Sequence, residues 1–187
     1  MFDARCQIAA MVYEPDDDPD AILSDFAADL NAQGHRVVGM VQAGQCSDSS
    51  LSAVLIHSGE KLLLAQDFDP NATGCRLDFN RLQDAGAQVA HALGSGADLL
   101  IINRFGKRER EGKGLAYLID RAVDAGVPVV IAVSRSRLAE WIEFAGGMSV
   151  KLACDRQALD VWWRSVPPPS SRGGSRAHHQ SARDVSK

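Results

Sequence analysis

Apolar residues along this 187-residue chain fall into short unbroken runs, divided by longer stretches in which they recur every three or four positions. Gln7 to Tyr13, Arg36 to Gln42, Asp98 to Ile102 and Val127 to Val133 are of the first kind. A strand with one wet face alternates apolar and polar residues, whereas an unbroken run has both faces covered, as in a parallel sheet. Between the runs, Ile22, Leu23, Phe26, Ala27 and Leu30 share one helical face, with Asp18 as N-cap, Pro19 at the first helical position and Gly34 as the stop. Leu82, Ala85, Val89, Ala90 and Leu93 define a second helix from Phe79 to Leu93, and Leu115, Leu118, Ile119, Ala122 and Val123 a third that ends at Gly126.

Two shorter runs, Leu51 to His57 and Lys61 to Gln66, are separated by Ser58-Gly59-Glu60 and predict a hairpin. Leu138 to Phe144 predicts a short helix, Val150 to Leu152 an edge strand, and Arg156 to Val166 a last helix. Buried strands alternating with amphipathic helices give an α/β fold: three layers around a mostly parallel, doubly wound sheet with an inserted β-hairpin. From Pro167 the chain turns to Pro, Ser, Gly, Arg and His, too poor in apolar side chains to offset the entropy of ordering. The expected organisation is one domain over 1–166 and a disordered tail over 167–187.

Composition narrows the partners. A formal net charge of −4 disfavours nucleic acid, which is held by a basic face. No run approaches the roughly 18 apolar residues of a membrane span, and the N-terminus lacks the layout of a signal peptide, so a cytoplasmic protein is expected. Cys6, Cys46, Cys75 and Cys154 form no CxxC pair and indicate neither a disulfide framework nor a zinc site. Cys75, between Gly74 and Arg76, is the candidate reactive thiol, with burial as a small hydrophobe as the alternative. The first loop, Glu14-Pro15-Asp16-Asp17-Asp18-Pro19-Asp20, is acidic enough to suggest a divalent cation. Its spacing fits no EF-hand, and acids are favoured at a helix N-terminus in any case, so no metal site is assigned.

Chemistry concentrates after the third of the unbroken runs. Asn103, Arg104, Gly106, Lys107, Arg108 and Glu109 follow directly on Asp98 to Ile102, at the carboxyl end of a strand where open α/β sheets bind ligands. The cations could hold an anion, with glycine N–H groups completing a nest, or could form a solvated, salt-bridged surface. Gln42 and Ser134 sit at other predicted strand ends and could complete such a pocket, with Arg135 beside Ser134. The first strand-to-helix loop has no glycine, lysine or hydroxyl, so it cannot cradle a polyphosphate as a P-loop does.

The order of strands and helices, with the hairpin at Ser58-Gly59-Glu60 and the Phe105-Gly106-Lys107-Arg108-Glu109 stretch, resembles the P-loop nucleoside-triphosphatases of the cancer-related type. That resemblance implies a magnesium-holding acidic pair where this chain has Asn103-Arg104. A closer resemblance spans Ile8 to Leu152. It rests on Val12-Tyr13-Glu14, Gly39-Met40-Val41-Gln42, Gly74-Cys75-Arg76-Leu77-Asp78, Asn103 to Glu109 with Glu111-Gly112, Gly126-Val127-Pro128-Val129, and Trp141 with Phe144-Ala145-Gly146-Gly147. These match a bacterial family of unknown function found beside molybdate-transport and molybdenum-enzyme genes, sometimes labelled a molybdenum transporter ATP-binding protein. The resemblances imply a degenerate P-loop-NTPase-like fold that has lost phosphate loop and metal-holding acid, and with them efficient hydrolysis. The expected function is binding of a small oxyanion or nucleotide at Gln42, Asn103, Arg104, Gly106, Lys107, Arg108, Glu109 and Ser134, in a molybdenum setting, with no cofactor specified. The alternatives are a residual nucleoside-triphosphatase and a structural module that engages a protein partner or a second copy of itself.

Overall fold

The computed structural model describes residues 6–43, 51–65 and 77–167. Cys46, Cys75, the Asp69 to Gly74 loop and all of the tail but Pro167 lie outside the described residues. Strands β1 (Ile8–Tyr13), β2 (Val37–Ala43), β3 (Ser52–Leu55), β4 (Lys61–Leu63), β5 (Leu99–Arg104), β6 (Val129–Ser134) and β7 (Val150–Ala153) form one seven-stranded sheet. Its order is β4-β3-β2-β5-β6-β1-β7. The five strands from β2 to β7 in that order pair in parallel, and β3 and β4 add the antiparallel hairpin at one edge.

Helices cover both faces, which is why the strands read as unbroken apolar runs. Helices α1 (Pro19–Ala32) and α6 (Arg156–Ser165) lie on one face, where Leu23, Phe26, Leu159 and Trp162 pack with Met11, Leu99, Ile101 and Val130. Helices α2 (Phe79–Gly94), α4 (Ala116–Asp124) and α5 (Leu138–Phe144) lie on the other, where Val89, Leu118 and Trp141 pack with Leu100, Ile102, Ile131 and Val133. A single turn, α3 (Lys107–Arg110), links β5 to α4. Neighbouring residues of β5 and β6 thus enter opposite cores, as the period of two requires.

The predicted cap forms, with Asp18 Oδ1 accepting from Ala21 N–H at the start of α1, and Asp78 Oδ1 likewise accepts from Asn80 N–H at the start of α2. Gly39 in β2 has φ of 131°, and a Cβ there would collide with the backbone of Ile101 in β5, so glycine is required where the two strands meet. No helix among the described residues is long and apolar enough to cross a membrane.

Candidate functional site

One irregularity builds the site. Ile102 pairs with Ile131, but Arg104 pairs with Ala132, so β5 carries one extra residue at Asn103. In regular alternation Arg104 would follow Leu100 and Ile102 toward α2 and α4. The bulge gives it the register of Ala132, which faces α1, and one inserted residue reverses the face of every side chain after it. Phe105 then returns to the opposite core, edge-on to Trp141.

Arg104 meets the start of α1. Its Nη2 donates to Asp20 Oδ2 at 2.5 Å, Nη1 donates to the Tyr13 hydroxyl at 3.4 Å, and the guanidinium carbon lies 5.2 Å from the Tyr13 ring centre. With its amide in the orientation that satisfies both neighbours, Asn103 donates to Asp20 Oδ1 at 2.7 Å and accepts from Gln42 N–H at 3.1 Å. Both Asp20 oxygens are therefore engaged from β5, and Arg104 Nε is buried with no acceptor among the described residues.

Burial is the larger influence on Asp20 and pushes its pKa up, against the Arg104 contact and together with the neighbouring charge of Asp18. For Arg104, burial lowers the pKa but the Asp20 contacts outweigh it, and the guanidinium stays charged. Above the pair opens a cavity of about 720 Å³ lined by Tyr13, Asp16, Asp17, Asp18, Gln42 and Arg104 among others. It sits at the carboxyl ends of β1, β2 and β5, where an open α/β sheet takes its ligand. No group of three metal-ligating side chains occurs among the described residues.

The structure brings Gln42, Asn103 and Arg104 together and distributes the other candidates elsewhere. Glu109 is buried; Oε2 accepts from Gly106 N–H at 3.0 Å and Oε1 from Leu115 N–H at 3.2 Å, so it pins the loop from β5 to α4. Gly114, with φ of 62°, lies against that carboxylate where no Cβ fits. Gly106 donates to Glu109, Lys107 is exposed, and Arg108 stacks over Phe79 on the α2 side of the sheet. Ser134 pairs in register with Tyr13 and its hydroxyl lies 3.1 Å from that of Ser136, while Arg135 approaches Glu14 at 3.9 Å. Sequence reasoning missed Asp20 and Tyr13 as site residues. Asp20 was legible only as a helix-start acid, because its partner lies 84 positions away.

An α/β domain with a partly buried ion pair at the floor of a strand-end cavity is the class this geometry defines. The chain belongs to the family described as "Protein of unknown function (DUF2478)", whose model matches residues 8–162. It is also 38% identical over 164 residues to "Molybdenum import ATP-binding protein ModC 2" of Bradyrhizobium diazoefficiens. That match takes in 86% of this chain but 18% of the relative, so the chain corresponds to a small part of a longer protein. No solved structure matches the chain.

Proposed function

We propose that this chain is a non-hydrolysing ligand-binding domain of degenerate P-loop-NTPase-like type, which takes a small oxyanion, or the anionic group of a nucleotide, at Arg104. The observation that carries this reading is the Arg104–Asp20 pair at the floor of the strand-end cavity. The sheet order supports the P-loop-like part, since β5 and β6 separate β1 from β2, unlike the dinucleotide-binding and flavodoxin-like orders.

Phosphoryl-transfer sites of the P-loop type place a lysine and a hydroxyl at the start of the first helix and a metal-holding acid on a nearby strand. Here the signs are exchanged: the acid, Asp20, starts α1 and the cation, Arg104, ends β5. A polyphosphate entering this cavity meets Asp16, Asp17, Asp18 and Asp20, and no lysine among the described lining residues balances them. A small oxyanion needs only the place that Asp20 occupies. It inherits the Arg104 fork and the unpartnered Nε, and Asp20 gives way by taking up a proton, which burial already favours. The relative's name as a molybdenum import ATP-binding protein makes molybdate the first ligand to try.

A melting-temperature titration tests the proposal, with molybdate, tungstate, sulfate and ATP, each with and without magnesium. At roughly a hundred times its dissociation constant a ligand adds about 2.7 kcal/mol, several degrees for a domain of this size. A tetrahedral oxyanion is expected to raise the melting temperature without magnesium, and Arg104→Gln to abolish the rise. A magnesium-dependent shift with ATP, accompanied by phosphate release, would instead restore the hydrolase. A second reading, a module that docks on protein, is favoured by the apolar surface of α4 and α5, where Val123, Ile142 and Met148 are 45%, 52% and 70% exposed. Under that reading Ile142→Lys with Met148→Lys weakens a partner complex and leaves the oxyanion shift intact.

A further inference from the structure

On the face of the sheet opposite the Arg104 cavity, a hollow of about 400 Å³ opens between α2 and α4. Phe79, Leu82 and Gln83 line it from α2, Arg108 from α3, and Lys113, Gly114 and Tyr117 from the α4 side. Its charge is the reverse of the first cavity: among the described residues two cations line it and no carboxylate side chain does. The Arg108 guanidinium carbon lies 3.0 Å from the centre of the Phe79 ring, and among the described residues its N–H groups have no carboxylate partner. Lys113 has only the neighbouring Glu111, at 3.6 Å on the surface, a contact that solvent screens.

Tyr117 adds a third donor. Its hydroxyl is packed against Gly86, where any Cβ would strike it, and burial raises its pKa, so it stays a neutral O–H. Leu82 and the rings of Phe79 and Tyr117 give the hollow an apolar part beside the cations.

We propose that this hollow is a second binding site, which takes a phosphoryl group carried on an aromatic body: the phosphate on Arg108, Lys113 and the Tyr117 hydroxyl, the ring on Leu82 and Tyr117. It is independent of the Arg104 cavity, since the two open on opposite faces of the sheet and share no lining residue.

Calorimetric titration of the full chain with AMP tests it, with inorganic phosphate as the probe that lacks a ring. AMP is expected to bind wild type and Arg104→Gln alike, and to weaken on the order of tenfold or more when Arg108→Gln and Lys113→Gln are combined. Tyr117→Phe gives a smaller loss without removing charge and serves as the reading if the double variant does not fold. In the Arg104→Gln background, where the first cavity is disabled, inorganic phosphate binds more weakly than AMP. No AMP binding at about 10 mM, or binding indifferent to Arg108, Lys113 and Tyr117, overturns the proposal. Binding abolished by Arg104→Gln also overturns it, by assigning the ligand to the first cavity. Equal affinity for AMP and phosphate removes the aromatic part of the assignment.

Discussion

Arg104 and Arg108 stand four residues apart in one charged run, yet they end in opposite electrostatic surroundings. Arg104 is turned by the bulge toward α1 and is met by Asp20, with three further aspartates around the cavity above it. Arg108 is turned toward α2 and is met by an aromatic ring and another cation. Whether a cation is committed or available is decided by what the fold brings to it from far along the chain. A charge run by itself defines no site.

The largest expected effect comes from the residue that holds the two regions apart. Glu109→Ala leaves the Gly106 and Leu115 N–H groups without their acceptor and should cost roughly 3 kcal/mol in urea denaturation, with Glu109→Gln recovering about half. A loss under about 1 kcal/mol would mean that the loop from β5 to α4 does not depend on that carboxylate.

The next effect separates the cavities by pH. Sulfate keeps its charge from pH 4 to 8 and so reports the protein alone, at roughly physiological ionic strength. Because the Asp20 pKa is raised, its carboxyl holds a proton at pH values where an ordinary carboxylate has lost it, and a sulfate that replaces it binds more tightly as pH falls through that raised value. On the order of a tenfold gain per unit of pH is the limit for one coupled proton. Arg108 has no such carboxylate, so anion binding at the second hollow stays flat over the same window; identical profiles at both would erase the comparison.

Stability gives a smaller reading of the same group. A raised carboxyl pKa means that the folded state holds the proton more tightly than the unfolded chain. The Asp20 contribution is therefore favourable at low pH and declines as pH rises from the ordinary carboxylate value through its own. The wild-type stability minus that of Asp20→Asn should fall across that window, by a small amount because the partly exposed Arg104 is screened by solvent. The smallest change is Arg108→Gln, which gives up an exposed cation–π contact and should move stability by no more than about 1 kcal/mol.

The strands, the helices, their caps and the hairpin were legible because burial on both faces and the helical period write themselves into local sequence, as Leu99 to Ile102 and Asp18-Pro19 show. The strand-end rule pointed to this end of the sheet, and Gln42, Asn103 and Arg104 do meet at the cavity there. Its electrostatics were not legible. The bulge at Asn103 has no local signature, and it alone decides that Arg104 faces Asp20. Glu109 was grouped with the candidate ligand-binding residues, because the two N–H groups it caps are backbone atoms that no sequence displays. Cys75, named as a candidate thiol, lies outside the described residues.

The central claim is that Asp20 occupies the position on Arg104 that a ligand takes. Tungstate titration of wild type and Asp20→Asn at neutral pH, by calorimetry in two buffers of different ionisation enthalpy, tests it most directly. The account predicts weak binding with uptake of close to one proton by wild type, and binding on the order of tenfold tighter with no proton uptake by Asp20→Asn. Equal affinity in the two proteins with no proton uptake by either, or no binding by Asp20→Asn, would contradict it.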